Sequence, residues 1–248
     1  MKVVACIPVY GRLRVLSRVI TRLYQKNGVY KVVCAGDQAR DKRLVEKFGG
    51  EWVEAPNDPI GNKWNKAFQA AKEHNPDACL YIGSDDFIED GWVDVMSPYL
   101  KDYGIVGVPD FTACDIRDGA YRVAYSGGYR KGSSRYQEPV GGGRLLTAEA
   151  LDKMKWSPVD PNLNCSLDYS MRRHAETLEI KMTSIPPKTL TVLALSSNHW
   201  ATKHNYDKIV VAGDGVEYNS KDAMTLLQEK FPEALTLFND ELWERTKK

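Results

Sequence analysis

A chain of 248 residues can bury one large hydrophobic core or two modest ones, and with 34 basic against 33 acidic side chains its net charge at pH 7 is +1. No global field therefore holds it on nucleic acid or on an anionic membrane, so any polyanion contact must be local. The five cysteines, Cys6, Cys34, Cys79, Cys114 and Cys165, include no C-x-x-C pair, which argues for reduced core thiols and against a structural zinc or thioredoxin-type centre. Pro8 stops the first apolar run before a signal core could form and no run approaches a membrane span; a soluble, cytoplasmic protein without a membrane anchor is expected.

Val3 to Ile7 is a strand by run length, and Leu13, Leu16, Ile20 and Leu23 then repeat at helical spacing until Asn27-Gly28. Lys31 to Gly36 repeats the apolar run and ends at Asp37, while Trp52-Val53-Glu54 before Pro56 is a shorter third strand. Trp64, Ala67, Phe68 and Ala71 form one apolar stripe of a helix closed by Asn75-Pro76. Ala78 to Ile82 is a buried strand that Gly83 and Ser84 end, immediately before Asp85 and Asp86. This alternation argues for βαβ crossovers: an α/β fold with a doubly wound, mainly parallel sheet and helices on both faces.

Gly104 to Val108 is a fifth strand, after which the alternation breaks. Tyr121, Val123 and Tyr125 alternate with Arg122 and Ala124 before Ser126-Gly127-Gly128, which reads as an inserted hairpin or flap over about 110–137. Ser166 is placed to cap a helix with Leu167, Met171, His174 and Leu178 on one face, and strand-like runs surround Ile185 and Leu193. Met224, Leu227 and Phe231, then Leu235, Phe238 and Leu242, form two final helical stripes. Residues 1–205 are thus expected to form one domain, with 206–248 a helical C-terminal extension packed on it.

The first β-α turn is Pro8-Val9-Tyr10-Gly11-Arg12 rather than G-x-G-x-x-G, which argues against a Rossmann dehydrogenase. Gly127 to Ser134 approaches a P-loop, but Ser133 stands where the lysine belongs and no buried strand precedes it. What the chain does offer is three strand ends facing one edge: Tyr10 and Arg12, then Asp37, then Asp85 with Asp86. Magnesium or manganese held by one or two carboxylates would let a diphosphate bind there. A turn or a helix N-cap before Glu89 and Asp90 is the alternative for the paired acids.

These residues resemble the GT-A fold glycosyltransferases, in particular the family 2 type. Ile7-Pro8-Val9-Tyr10 is similar to the family's first strand end, Val33 to Asp37 to the second strand with its nucleoside-binding acid, and the helix from Gly61 to Ala71 with Asn65 to the one before the metal motif. Tyr81 to Asp86 resembles the D-x-D region, with Gly83 in place of the first aspartate. Leu167-Asp168 followed by Arg172 resembles the later acid that serves as catalytic base. The likeness spans Val3 to Arg173, about two thirds of the chain. It implies an inverting, metal-dependent transferase moving a hexosyl or pentosyl group from a nucleoside diphosphate sugar to a hydroxyl acceptor. Pro8, Tyr10, Arg12, Asp37, Asn65, Ser84 and Arg144 would bind the donor, Asp85 and Asp86 the metal, and Asp168 would be the base. On residues alone, Asp168 is equally a first-turn acid paired with Arg172 at i+4.

Among the histidines, His74 and His174 read as structural, whereas His199 and His204 lie in a polar stretch and are either solvent-exposed loop residues or, as the resemblance implies, a metal ligand, for which His199 beside Trp200 is the candidate. Gly141-Gly142-Gly143-Arg144 is either a backbone cradle with a phosphate-binding arginine or a tight turn before a strand. The flap interleaves Arg117, Arg122, Arg130, Lys131 and Arg135 with Tyr121, Tyr125, Tyr129 and Tyr136, a pattern that suits an acceptor, including a modified nucleic acid base, or a solvated flap. The rival functions are a nucleotidyltransferase, and a carbohydrate- or nucleic-acid-binding protein without turnover on the same scaffold.

Overall fold

The computed structural model describes residues 1–115, 122–129, 131–136, 138–196 and 216–237. Strand β1 (Val3–Pro8) leads through helix α1 (Leu13–Lys26) to β2 (Lys31–Gly36), then α2 (Ala39–Lys47), β3 (Glu51–Glu54), α3 (Ile60–Ala71) and β4 (Ala78–Tyr81). Next come β5 (Asp86–Ile88), α4 (Trp92–Met96), β6 (Ile105–Gly107), β7 (Phe111–Asp115), β8 (Arg122–Ser126) and β9 (Arg144–Thr147). The chain continues through α5 (Ala148–Lys153), α6 (Leu167–Thr177), β10 (Met182–Ser184), β11 (Val192–Ser196), β12 (Val216–Glu217) and α7 (Ser220–Lys230).

Among the described residues the main sheet has seven strands in the order β10-β6-β9-β4-β1-β2-β3, with β9 alone running against the rest. Strand parity explains its two covered faces. Val3, Ala5 and Ile7 of β1 pack with Leu16, Ile20 and Leu23 of α1. Val4 and Cys6 point the other way, onto Trp64, Ala67, Phe68 and Ala71 of α3 and Met171 of α6. The sheet is therefore doubly wound, and the fold is α/β.

The predicted flap is different. β7 and β8 pair as an antiparallel hairpin inside a second sheet of order β12-β8-β7-β11-β5, where Ala113, Cys114, Val123 and Ala124 are buried. Their partners, β11 beside β7 and β12 beside β8, come from far along the chain, so local alternation revealed the hairpin but not its place. Ser84 and Asp85 form the turn that is one alternative for this stretch, while Asp86 to Ile88 is a strand paired with β11 and the next helix is capped at Gly91 rather than by these acids. Ser166 has a left-handed backbone (φ 58°) and its side chain does not cap α6.

The C-terminal segment packs on the first core: Ala223, Leu227 and Phe231 join the cluster containing Val19 and Ile88. Buried Arg22 ties it down, donating to the carbonyls of Ile88 and Lys230, each at 2.7 Å, and to both carboxylate oxygens of Glu233 at 2.9 and 3.0 Å. Phe238 and Leu242 lie outside the described residues. Among the described residues no helix is long and apolar enough to cross a membrane.

Candidate functional site

The carboxyl ends of β1 and β2 carry the first part of the site. Gly11 (φ 68°) and Arg12 (φ 59°) are both left-handed and turn the chain sharply into α1. The turn is held by the Gly11 N–H, which donates to the buried carboxylate of Asp41 at 2.7 Å. Lys63 reaches the same edge from the buried face of α3, donating to the Val9 carbonyl at 2.9 Å and to Asn57 Oδ1. Burial pulls its ammonium pKa down to about 8, although Asp37 and Asp41 act in the opposite direction. Asp37 itself is exposed and accepts from the Asn57 N–H at 3.2 Å.

The second part is the bend between β4 and β5. Asp86 folds back so that its Oδ2 accepts the Gly83 N–H at 3.0 Å. A Cβ at residue 83 would lie 2.7 Å from that oxygen and 3.3 Å from Asp85 Oδ1. The space where the resemblance leads one to expect an acid is thus filled by the carboxylate of Asp86. Burial, then the neighbouring charge of Asp85, pushes Asp86 up to about 7, against the opposing pull of the Gly83 N–H and Arg12. Arg12 forms an ion pair with Asp85, Nη1 to Oδ2.

The third part is Asp168, in the first turn of α6. Its Oδ2 accepts from the Tyr129 hydroxyl and from Arg135 Nη2, the latter at 2.6 Å, and Arg144 Nη2 stands 3.9 Å away. Burial alone would raise this carboxyl, but the charge of Arg144, the Tyr129 bond and Arg135 outweigh it and hold Asp168 below the ordinary value. Gly141 and Gly142 connect this acid to the second part. A Cβ on Gly141 would stand 3.8 Å from the Asp168 Cβ, and one on Gly142 would stand 3.0 Å from Asp86 Oδ2. Tyr81, whose phenol is pushed up mainly by burial, also feels the charges of both Asp168 and Asp86.

A hard divalent cation fits the donor set at the bend: two carboxylates converge on Gly83, and phosphate oxygens and water usually complete such a shell. Asp85 and Asp86 are the residues that would hold it. Among the described residues no group of three or more His, Cys, Asp or Glu side chains gathers as a metal cluster. His199, the expected third ligand, lies outside the described residues.

Other expected residues are placed as follows. Pro8 ends β1 and Tyr10 is exposed beyond it, with Lys63 Nζ 5.7 Å from its ring centroid. Ser84 is buried within the bend. Asn65 is turned into the core, where its side chain exchanges hydrogen bonds with the backbone of Val159 at 2.8 and 3.3 Å. Arg144 is fully buried, with its guanidinium taken by the carbonyls of Val140, Pro139 and Asp168 and by Glu138. It therefore braces Asp168 rather than projecting toward a phosphate. Arg172 does not pair with Asp168; it binds Glu176 at 2.7 Å and Glu138 at 3.4 Å.

In the basic segment, Arg122 pairs with Asp115 and Arg135 with Glu138 and Asp168, each at 2.6 Å, while Lys131 is exposed. Arg117, Tyr121 and Arg130 lie outside the described residues. Sequence reasoning missed Lys63 and Asp41. The signal for Lys63 was available, since it adjoins Trp64 and lies one helical turn before Ala67 on the apolar stripe.

No family model and no curated protein matches the sequence. Among solved structures, a mannosyltransferase from Pyrobaculum calidifontis in complex with GDP-mannose and Mn2+ superposes with a TM-score of 0.54 at 10% identity, covering 79% of this chain. The present chain spans 56% of that protein's length. A CMP:2-keto-3-deoxy-manno-octonic acid synthetase complexed with CTP gives a TM-score of 0.47 at 15% identity, covering 79% of this chain and 91% of its own. Protein A197 from STIV gives 0.44 at 14%, covering 77% and 84%. At such identities the likeness shows the fold, and the two scores below one half add no argument.

Proposed function

We propose that the chain is an inverting glycosyltransferase that moves a sugar from a nucleoside diphosphate sugar to a hydroxyl acceptor. The observation that carries this reading is the pair Gly141-Gly142, which separates an ionised carboxylate, Asp168, from the carboxylates of the bend. The two glycines thus bring a proton acceptor on one side close to a carboxylate pair suited to a cation on the other, the two groups a one-step displacement requires. Tyr10, beyond β1, and Asp37, beyond the neighbouring β2, face the nucleoside. Arg12 lies where it would meet the diphosphate. Asp85 and Asp86 would hold a magnesium or manganese ion, whose charge eases departure of the diphosphate.

The acceptor oxygen attacks the anomeric carbon from the side opposite the leaving group, and its proton passes to Asp168. Arg144 and Arg135 keep Asp168 unprotonated beforehand. Tyr129 donates to Asp168 Oδ2, and on this reading its hydroxyl yields that bond when the acceptor binds.

The test is release of nucleoside diphosphate from a panel of nucleotide sugars in Mn2+. The wild type should turn over at least one donor, and Asp168→Asn should lower kcat by about 10²-fold or more with KM for the donor little changed. Full activity in Asp168→Asn would reject the assignment. Nucleotidyl transfer is the second reading, favoured by the presence of one lysine, Lys63, at the edge of β1. Pyrophosphate release from a nucleoside triphosphate in place of diphosphate release would select it.

A further inference from the structure

The pair Arg12 and Asp85 raises a question of charge. Arg12 Nη1 sits on Asp85 Oδ2, and both side chains are mostly enclosed, at 19% and 26% exposure. Asp85 Oδ1 and Asp86 Oδ2 meanwhile gather around Gly83. The guanidinium is therefore already doing for these acids what a divalent cation would do, and its residue holds a left-handed backbone, φ 59°, that a non-glycine side chain disfavours. That turn is nevertheless built in, because Asp41 anchors the neighbouring Gly11 N–H and the Leu16 N–H bonds back to the Arg12 carbonyl at 2.9 Å.

We propose that Arg12 is the resident counter-ion of the Asp85–Asp86 pair, and that a divalent cation enters by exchange with it. This rests on the reading of the bend as the cation and diphosphate site. Two cations facing one carboxylate repel each other, so metal alone must bind against the guanidinium. A nucleoside diphosphate changes the balance, since its oxygens give Arg12 a second anion to pair with, by the bidentate geometry that suits guanidinium to phosphate. Metal and diphosphate then bind cooperatively, and the acids of the bend are kept from collecting free metal. The competent state of the apo site is the fraction with Arg12 displaced, and apparent metal affinity falls by that fraction.

The experiment is a titration of the purified protein with Mn2+ alone, followed by the electron paramagnetic resonance signal of the free ion. Arg12→Gly removes the guanidinium and suits the left-handed backbone, and Arg12→Gln checks that the effect is one of charge. Both should bind Mn2+ roughly five- to tenfold more tightly than wild type, as expected when an enclosed ion pair no longer competes. Asp85→Asn in the Arg12→Gly background should abolish the gain. Equal affinity in wild type and both variants, weaker affinity in the variants, or no measurable Mn2+ binding by any of them overturns the exchange. A calorimetric titration with UDP and with GDP in Mn2+ then separates the two ideas. Tighter Mn2+ binding in the variants with no nucleotide binding by any protein would support the exchange while removing the nucleotide-sugar reading.

Discussion

Lys63 offers a quantitative test of the electrostatics at the strand edge. Its ammonium is buried and its pKa falls from the ordinary 10.5 to about 8, a difference equivalent to about 3 kcal/mol of disfavoured charge. Because the folded value is the lower one, the penalty is fully present below about pH 8, where both folded and unfolded chains carry the proton. Between about pH 8 and 10.5 the unfolded chain holds more protons than the folded one, so stability rises with pH. From pH 7 to about pH 9.5 the expected gain is about 2 kcal/mol.

Tyrosines also bear on stability here, because phenols such as those of Tyr81 and Tyr129 are raised in the folded chain while the unfolded chain begins to ionise them toward the top of this range, so the comparison must be a difference. Lys63→Met keeps most of the buried stem and lacks the proton. It also leaves the Val9 carbonyl without the 2.9 Å bond, a loss of about 1 to 3 kcal/mol that roughly offsets the relief of desolvation at pH 7. Urea unfolding followed by tryptophan fluorescence at the two pH values gives the result directly. Wild type should gain about 2 kcal/mol on the variant as pH rises. Parallel stability in the two proteins across that range would refute a perturbed lysine at the head of β1.

Three further outcomes can be checked. Tyr129→Phe removes a hydrogen bond that favours ionised Asp168 in the free enzyme, so the acid limb of the pH profile of kcat/KM should move to higher pH, and further still in Arg135→Gln. Because the folded value of Asp168 is depressed, its stabilising contribution is present above the ordinary carboxylate range and fades on acidification; Tyr129→Phe should therefore lose less stability than wild type as pH falls. Gly143→Ala puts a Cβ 2.4 Å from the Trp92 ring at φ 80°, which should destabilise by about 1 to 3 kcal/mol in thermal melts, whereas Gly141→Ala meets only an ordinary 3.8 Å contact and should melt like wild type. Arg22→Met leaves Glu233 without its guanidinium and should cost about 3 kcal/mol, with hydrogen exchange in 216–237 accelerating before that of β1.

What could be read from the sequence was whatever neighbouring residues decide. β1, β2 and β4 are apolar runs, and their alternation with α1 and α3 forces crossovers, so the parallel half of the sheet and the acids at its edge followed from pattern alone. β5 is three residues long and begins at Asp86; nothing local marks it as a strand, because its pairing with β11 is made about a hundred residues later. Arg144 misled for the same reason. Of the two readings of the triple glycine, the tight turn before a strand is the one the structure has, and because β9 inserts between β4 and β6 the arginine is carried into the interior, where Glu138 and three carbonyls satisfy it.

The i+4 rule gave Asp168 the wrong partner, since Arg172 is turned toward Glu176 and Glu138, while Tyr129 and Arg135 arrive from a segment more than thirty residues away. Lys63 shows what could have been seen. A charged residue on the apolar stripe of an otherwise amphipathic helix is costly unless acceptors await it, and a helix packed over β1 and β2 brings that residue to their carboxyl ends. The misplaced charge, more than the familiar acids, was the local sign that this edge had been built for something other than packing.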